Sequence, residues 1–211
     1  MKAKGAVGAV SEVSSCKAGG SPPPVFHLLI AGFTFEFIWL LCVVNPGNTV
    51  VVGVTAANVA LHFFLFCGLP LERDGQKCGK VYLGPLLRYC AWIGVIAITG
   101  ICMDSLLFRA GLFLPAPASG QFALVPLWLA CLWVNFALAL RFAFVFLQRN
   151  LIIAALFGGV GGPLSYLFGA AIGGLVTLSE PLWVTLLLLS LLWAIFLAGA
   201  MKLARHSSFR Y

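Results

Sequence analysis

Six apolar segments follow one another along this chain, each near the roughly 20 residues that a helix needs to cross a hydrocarbon core. Hydrophobic residues make up 62% and charged residues 9% of the 211 residues, whereas about a quarter of a soluble domain is charged. The pattern predicts an all-α fold, a polytopic membrane bundle with helices at about 25–44, 49–69, 81–108, 122–147, 151–178 and 181–203. The third apolar run continues to Leu114, which fits either a tilted helix or a helix followed by an interfacial turn.

The positions of Lys and Arg predict how the bundle is oriented. With a cytoplasmic N terminus, every Lys and Arg except Arg109 falls on or near the cytoplasmic side, as the positive-inside rule requires. We therefore expect both termini in the cytoplasm, as a disordered tail at 1–24 and a basic tail at 204–211. The net charge of +7 forms no basic stripe with interleaved aromatic residues, so the expected partners are membrane lipids, not nucleic acid.

Motifs for metal binding and for common hydrolases do not occur in this sequence. The seven Cys include no C-x-x-C pair, the three His include no H-E-x-x-H pattern, and no G-x-S-x-G elbow or Gly-rich phosphate loop is present. We predict no metal ion and no cofactor. Whether the protein is an enzyme stays open, because Asp104 is a candidate catalytic acid or base.

Glycines are concentrated in the fifth segment, in the run GGVGGPLSYLFGAAIGG. Gly161, Ser165, Gly169 and Gly173 recur at every fourth position and so share one helical face, while Pro163 is expected to bend the helix. Small residues let helices approach closely in a membrane, where apolar area gives no net drive for association. We expect this helix in the middle of the bundle, or its glycine face packed against a partner helix or a second copy of the chain.

Several polar residues lie inside the predicted helices, where an ionisable group costs a few kcal/mol and is a functional candidate by default. They are Glu36, Asn58, His62, Asp104, Asn135, Arg141, Ser165 and Tyr166. By depth alone, four of them could meet in the inner half of the bundle: Glu36, His62, Arg141 and Tyr166. Asp104 is expected in a different layer, near the outer end of its helix.

Each of these residues also has a structural interpretation. Glu36 could hydrogen-bond Asn58 or His62 and hold two helices together. Arg141 could extend to the inner headgroups, and Asp104 could be hydrated at the outer interface.

Three motifs of the chain resemble a family of small bacterial inner-membrane proteins catalogued as a domain of unknown function: GICMDSLLFRAGLF, PLWLACLWVNFALAL and, most specifically, GGVGGPLSYLFGAAIGG. The resemblance covers about residues 25–203 and implies a multi-pass protein of the bacterial inner membrane. Members are often encoded beside enzymes that modify membrane fatty acids, which implies a role in envelope lipid metabolism or stress. The family's marker residues carry over to Asp104, Trp128, Trp133, Gly162, Pro163, Ser165, Tyr166 and Gly169, and more weakly to His62.

Three functions stay open at this point. In the first, the protein binds or moves a lipid-like or small amphipathic molecule through a cavity lined by His62, Asp104, Asn135, Ser165 and Tyr166. In the second, it is a membrane-embedded enzyme that modifies a lipid with Asp104. In the third, it is a structural or assembly subunit that docks through the glycine face of helix 5. The second requires Asp104 within hydrogen-bond reach of another ionisable group, and the third requires a filled bundle with an exposed glycine face.

Overall fold

A computed structural model describes residues 25–64, 83–115 and 125–206 of the chain. This part contains the six helices that the sequence predicts: α1 (Val25–Val44), α2 (Asn48–His62), α3 (Leu83–Arg109), α4 (Leu127–Phe142), α5 (Leu151–Gly173) and α6 (Leu182–Ala204). The all-α fold is confirmed at this level. Parts of the prediction lie outside the described residues: the tail at 1–24, the helix ends at 65–69, 81–82 and 122–124, and the tail residues 207–211.

A small two-stranded β-sheet follows the C-terminal ends of α3 and α5, and its second strand lies where the fifth helix was expected to continue. α3 ends at Arg109, and Gly111 has a φ of 71° before strand β1 (Phe113–Pro115). α5 ends at Gly173 because Gly174 adopts a left-handed conformation with φ of 60°, as is common at helix C termini. Strand β2 (Val176–Leu178) then pairs antiparallel with β1. The long third segment is therefore a helix followed by a turn.

The connection from α4 to α5 also differs from the prediction. α4 ends at Phe142, and a 3-10 helix (Val145–Arg149) leads to α5. The side chain of Asn150 caps α5 by accepting hydrogen bonds from the backbone N–H groups of Ile152 and Ile153. Such a cap satisfies N–H groups that have no partner inside the helix.

α4 is the central helix of the fold, and the expectation that α5 occupies the middle is wrong. α4 packs against α1, α2 and α3, whereas α5 packs mainly against α6. Eleven of the 16 residues of α4 are buried, but large side chains of α5 such as Ile152, Leu156 and Phe168 are exposed. The physical reason is that α4 carries Trp133 and Asn135, whose side-chain hydrogen bonds end on α3 and α2, and polar groups in an apolar bundle need such partners on neighbouring helices.

Three of the described helices are long and apolar enough to cross a membrane, at Leu86–Arg109, Leu151–Gly173 and Leu182–Ala204. The apolar stretches of the other three helices are shorter, at Leu28–Val44, Asn48–His62 and Leu127–Phe142. The length and composition of these helices are typical of a membrane protein.

α5 and α6 pack closely, on a different face of α5 from the predicted one. A Cβ atom at Gly158 would lie 2.4 Å from the carbonyl oxygen of Trp193, and one at Gly162 would lie 2.2 Å from Cγ of the same residue. Both distances are far below van der Waals contact. The absence of side chains at these two glycines is therefore what lets the Trp193 indole lie against α5.

Candidate functional site

A cavity of about 350 Å³ lies among α1, α4, α5, α6 and the two-stranded sheet. Aromatic residues make up 11 of its 26 lining residues, against 13% of the whole chain. The cavity is partly open to the surface, and the exposed residues of its lining include Glu36 of α1 and Phe157, Leu164 and Phe168 of α5. Its volume and its largely apolar walls are typical of a site for a small molecule.

The small-residue face of α5 forms one wall of this cavity. Gly161, Ser165 and Gly169 all line it, and only Gly173 packs tightly on a neighbouring helix, where a Cβ atom would lie 2.7 Å from the carbonyl oxygen of Val43. A Cβ atom at Gly161 would meet its nearest neighbour, Phe157 of the same helix, only at 4.0 Å. Of the four predicted packing residues, Pro163 is buried and Gly173 approaches α1 closely, whereas Gly161 and Gly169 line the cavity.

Asp104 lies beneath the cavity wall, in a group that we call the carboxyl cluster, formed by Asp104, Trp133 and Tyr166. Its side chain is completely buried. The Tyr166 hydroxyl donates to Oδ1 over 2.5 Å, and Nε1 of Trp133 donates to Oδ2 over 2.6 Å. Both donors line the cavity, but Asp104 itself does not. The carboxyl group therefore fixes the orientation of two cavity side chains from behind.

Two stacked indoles extend the carboxyl cluster toward α6. The rings of Trp133 and Trp193 lie 5.3 Å apart at an interplanar angle of 15°. Gly100 of α3 makes room for this stack, since a Cβ atom there would lie 2.0 Å from the Trp133 ring. Nε1 of Trp193 lies near the Tyr166 hydroxyl but completes no well-formed hydrogen bond within the described part of the chain.

A second polar group joins α2 to α4, away from the cavity. We call it the amide cluster, formed by Thr55, Asn58 and Asn135. Nδ2 of Asn58 donates to Oδ1 of Asn135 over 2.8 Å, and Nδ2 of Asn135 donates to Oγ1 of Thr55 over 2.9 Å. All three side chains are buried. The cluster connects two helices by side-chain hydrogen bonds, as polar residues commonly do in membrane bundles.

The residues predicted to bind a ligand are therefore divided between two places. Ser165 and Tyr166 line the cavity, with Asp104 behind Tyr166, whereas Asn135 belongs to the amide cluster. His62 is buried beside that cluster, where its Nδ1 lies 2.9 Å from the carbonyl oxygen of Asn58. The prediction that Asp104 lies in a different layer from Tyr166 is wrong.

The other polar candidates have separate environments. Glu36 lines the cavity and makes no hydrogen bond with Asn58 or His62 among the described contacts. Arg141 is buried, with its guanidinium carbon 5.9 Å from the centre of the Trp92 ring. Four residues could have met by depth alone: Glu36, His62, Arg141 and Tyr166. Only Glu36 and Tyr166 line the same cavity.

Apart from Tyr166, the sequence reasoning assigned none of the aromatic residues that line the cavity to a binding site. The missed residues include Phe35 and Trp39, which are four residues apart in α1. In α4 they include Trp128, Trp133 and Phe136. Spacing by four shows that two side chains share a face. It does not show whether that face meets a neighbouring helix or an open space.

Comparisons with known proteins place the chain in one family. A family model described as "Protein of unknown function (DUF2878)" matches residues 28–199. Comparisons with curated proteins and with solved structures give no match.

Proposed function

This chain belongs to the DUF2878 family of proteins of unknown function, and we propose that it is a multi-pass membrane protein that binds or moves a lipid-like or small amphipathic molecule. The cavity is the observation that carries this proposal. It combines an aromatic and aliphatic lining with a few polar groups and an open side, which suits a molecule that enters from the lipid. A role in the lipid metabolism or stress response of the cell envelope would agree with this chemistry.

The proposed location is the bacterial inner membrane, with both termini in the cytoplasm. It is supported by the three long apolar helices and by the distribution of Lys and Arg along the sequence. Fusing green fluorescent protein or alkaline phosphatase to the C terminus tests the orientation. We expect a fluorescent fusion and an inactive phosphatase, and the reverse result would contradict the proposed topology.

The binding function can be tested by filling the cavity. Gly161→Leu adds a side chain at the cavity wall, where the atom nearest to a Cβ would be 4.0 Å away. Gly53→Leu adds the same side chain to an exposed position of α2 with no neighbour within 4 Å. Mass spectrometry of molecules that co-purify with each variant is the measurement. We expect Gly161→Leu to lose a bound molecule that Gly53→Leu retains. Equal retention in two equally folded variants would contradict the proposal.

A lipid-modifying enzyme is the second candidate, and one observation favours it. Asp104 lies 2.5 Å from the hydroxyl of Tyr166, an ionisable group that lines the cavity, and such a pair can pass a proton to a bound molecule. If the protein is an enzyme, Asp104→Asn will change the chemical form of the co-purified molecule and not only its amount. The third hypothesis, docking through the glycine face, has less support because that face borders a cavity.

A further inference from the structure

Glu36 is an acidic residue on an otherwise apolar and aromatic surface. It lies near the middle of α1, its side chain is exposed, and it lines the cavity. Its neighbours on α1 that face the same space are Phe35 and Trp39. A carboxyl group at this depth is costly unless it has a partner, and no hydrogen bond or ion pair of Glu36 occurs among the described residues.

Glu36 and Tyr166 line the same cavity from two neighbouring helices. α5 approaches the C-terminal end of α1 closely, since a Cβ atom at Gly173 would lie 2.7 Å from the carbonyl oxygen of Val43. The two stacked indoles of α4 and α6 line this cavity as well. The carboxyl group of Glu36 therefore shares one cavity with Tyr166 and the indole stack.

The charges of the lining favour one class of occupant. None of the described lining residues is Lys, Arg or His, so an anionic headgroup would find no counter-charge. Glu36 can pair with a cation, and the faces of aromatic rings attract cations, most strongly when the site is shielded from water. Aromatic walls around a positive charge are the usual way in which proteins recognise quaternary ammonium groups.

We propose that the cavity is a binding site for hydrophobic organic cations, in which Glu36 supplies the counter-charge and the aromatic walls supply the contact surface. This inference rests on the proposed function, because it names the chemical class of the small amphipathic molecule. It also gives a role to Glu36, which has no hydrogen bond or ion pair among the described residues.

Two rigid ions of nearly equal shape and opposite charge test the proposal. Purified protein in nanodiscs is titrated with radiolabelled tetraphenylphosphonium and, in a separate titration, with tetraphenylborate, with protein-free nanodiscs as the background. We expect saturable binding of tetraphenylphosphonium above the background and none of tetraphenylborate. Glu36→Gln keeps the size of the side chain and removes its charge, and we expect it to weaken binding about tenfold or more.

Matched controls separate the site from the rest of the surface. Glu180→Gln changes an acidic residue outside the cavity whose carboxyl group accepts a hydrogen bond from the Leu182 backbone, and it should leave binding unchanged. Trp39→Leu should weaken binding about fivefold through the lost ring. Trp183→Leu changes a tryptophan that is 70% exposed and lies outside the cavity lining, and it should have no effect.

Two results would overturn the inference. One is that tetraphenylphosphonium binds no better than to protein-free nanodiscs, or that tetraphenylborate binds to the protein as tightly as tetraphenylphosphonium does. The other is that well-folded Glu36→Gln binds as wild type does. Neither result would affect the loss of a co-purified molecule in Gly161→Leu, so failure of the cation class can be distinguished from failure of the binding function.

Discussion

The amide cluster and the carboxyl cluster are both buried polar groups that connect α4 to a neighbouring helix, but only one of them borders open space. In the amide cluster, the hydrogen bonds of Asn135 end on Asn58 and Thr55 of α2 and on the Cys131 carbonyl of its own helix. In the carboxyl cluster, the two donors to Asp104 line the cavity with their rings. Both clusters pair buried polar atoms that would be costly to leave alone, although Oδ1 of Asn58 has no hydrogen-bond partner among the described residues.

This difference shows that depth and polarity do not identify a site. The amide cluster uses its polar atoms to join two helices, so its removal should affect folding. The carboxyl cluster holds Trp133 and Tyr166 in fixed positions on the cavity wall, so changes there should affect what the cavity accepts. The following variants test this division.

Gly162→Ala should have the largest effect on stability. The new Cβ atom would lie 2.2 Å from the Trp193 ring, which is stacked on Trp133 and has little freedom to move. We expect overpacking to destabilise the protein by about 1–3 kcal/mol. The measurements are the folded yield and the thermal midpoint. Gly161→Ala, one residue earlier, is the matched control and should behave as wild type. Equal midpoints would show that the indole stack is not rigid.

Asn135→Ala should reduce stability without changing the occupant. The substitution leaves the amide of Asn58 and the hydroxyl of Thr55 without their partner, at a cost of about 1–3 kcal/mol. Asn48→Ala, at an exposed position, provides the control. The measurements are the thermal midpoint and the amount of co-purified molecule per folded protein. Loss of that molecule at an unchanged midpoint would move the site to the amide cluster.

Asp104→Asn should weaken binding of the occupant and leave the folded yield nearly unchanged. The side chain keeps its shape but offers only one acceptor oxygen to the two donors, so the position of Tyr166 or Trp133 is weakened. We expect a near-normal folded yield and about fivefold weaker binding of the occupant, the equivalent of one hydrogen bond. A collapse of yield with an unchanged occupant would instead make Asp104 a structural partner.

Ser165→Ala should have the smallest effect. Ser165 lines the cavity, but its hydroxyl donates to the carbonyl oxygen of Gly162 over 2.7 Å and so is already used within α5. We expect a stability change below about 0.5 kcal/mol, because such local bonds contribute little to a helix, and we expect no change in binding. Reduced retention of the co-purified molecule would show that the serine hydroxyl contacts it directly.

The sequence by itself determined the number and order of the helices and their apolar character. Runs of apolar residues fix this result because backbone polar groups in an apolar environment must be paired within a helix. The sequence also identified Asp104, Ser165 and Tyr166 as candidates, since a polar residue is conspicuous against an apolar background. It placed Gly173 on a packed face, where it contacts Val43.

Only the tertiary structure decided which faces meet. Asp104 and Tyr166 are 62 residues apart, and the rise per residue gives only an approximate depth for each side chain, with no information on helix rotation or neighbours. For the same reason the sequence did not show that α4 is central. Nor did it show that the glycine face of α5 borders a cavity, because small residues allow close packing but do not require a neighbour to fill the space.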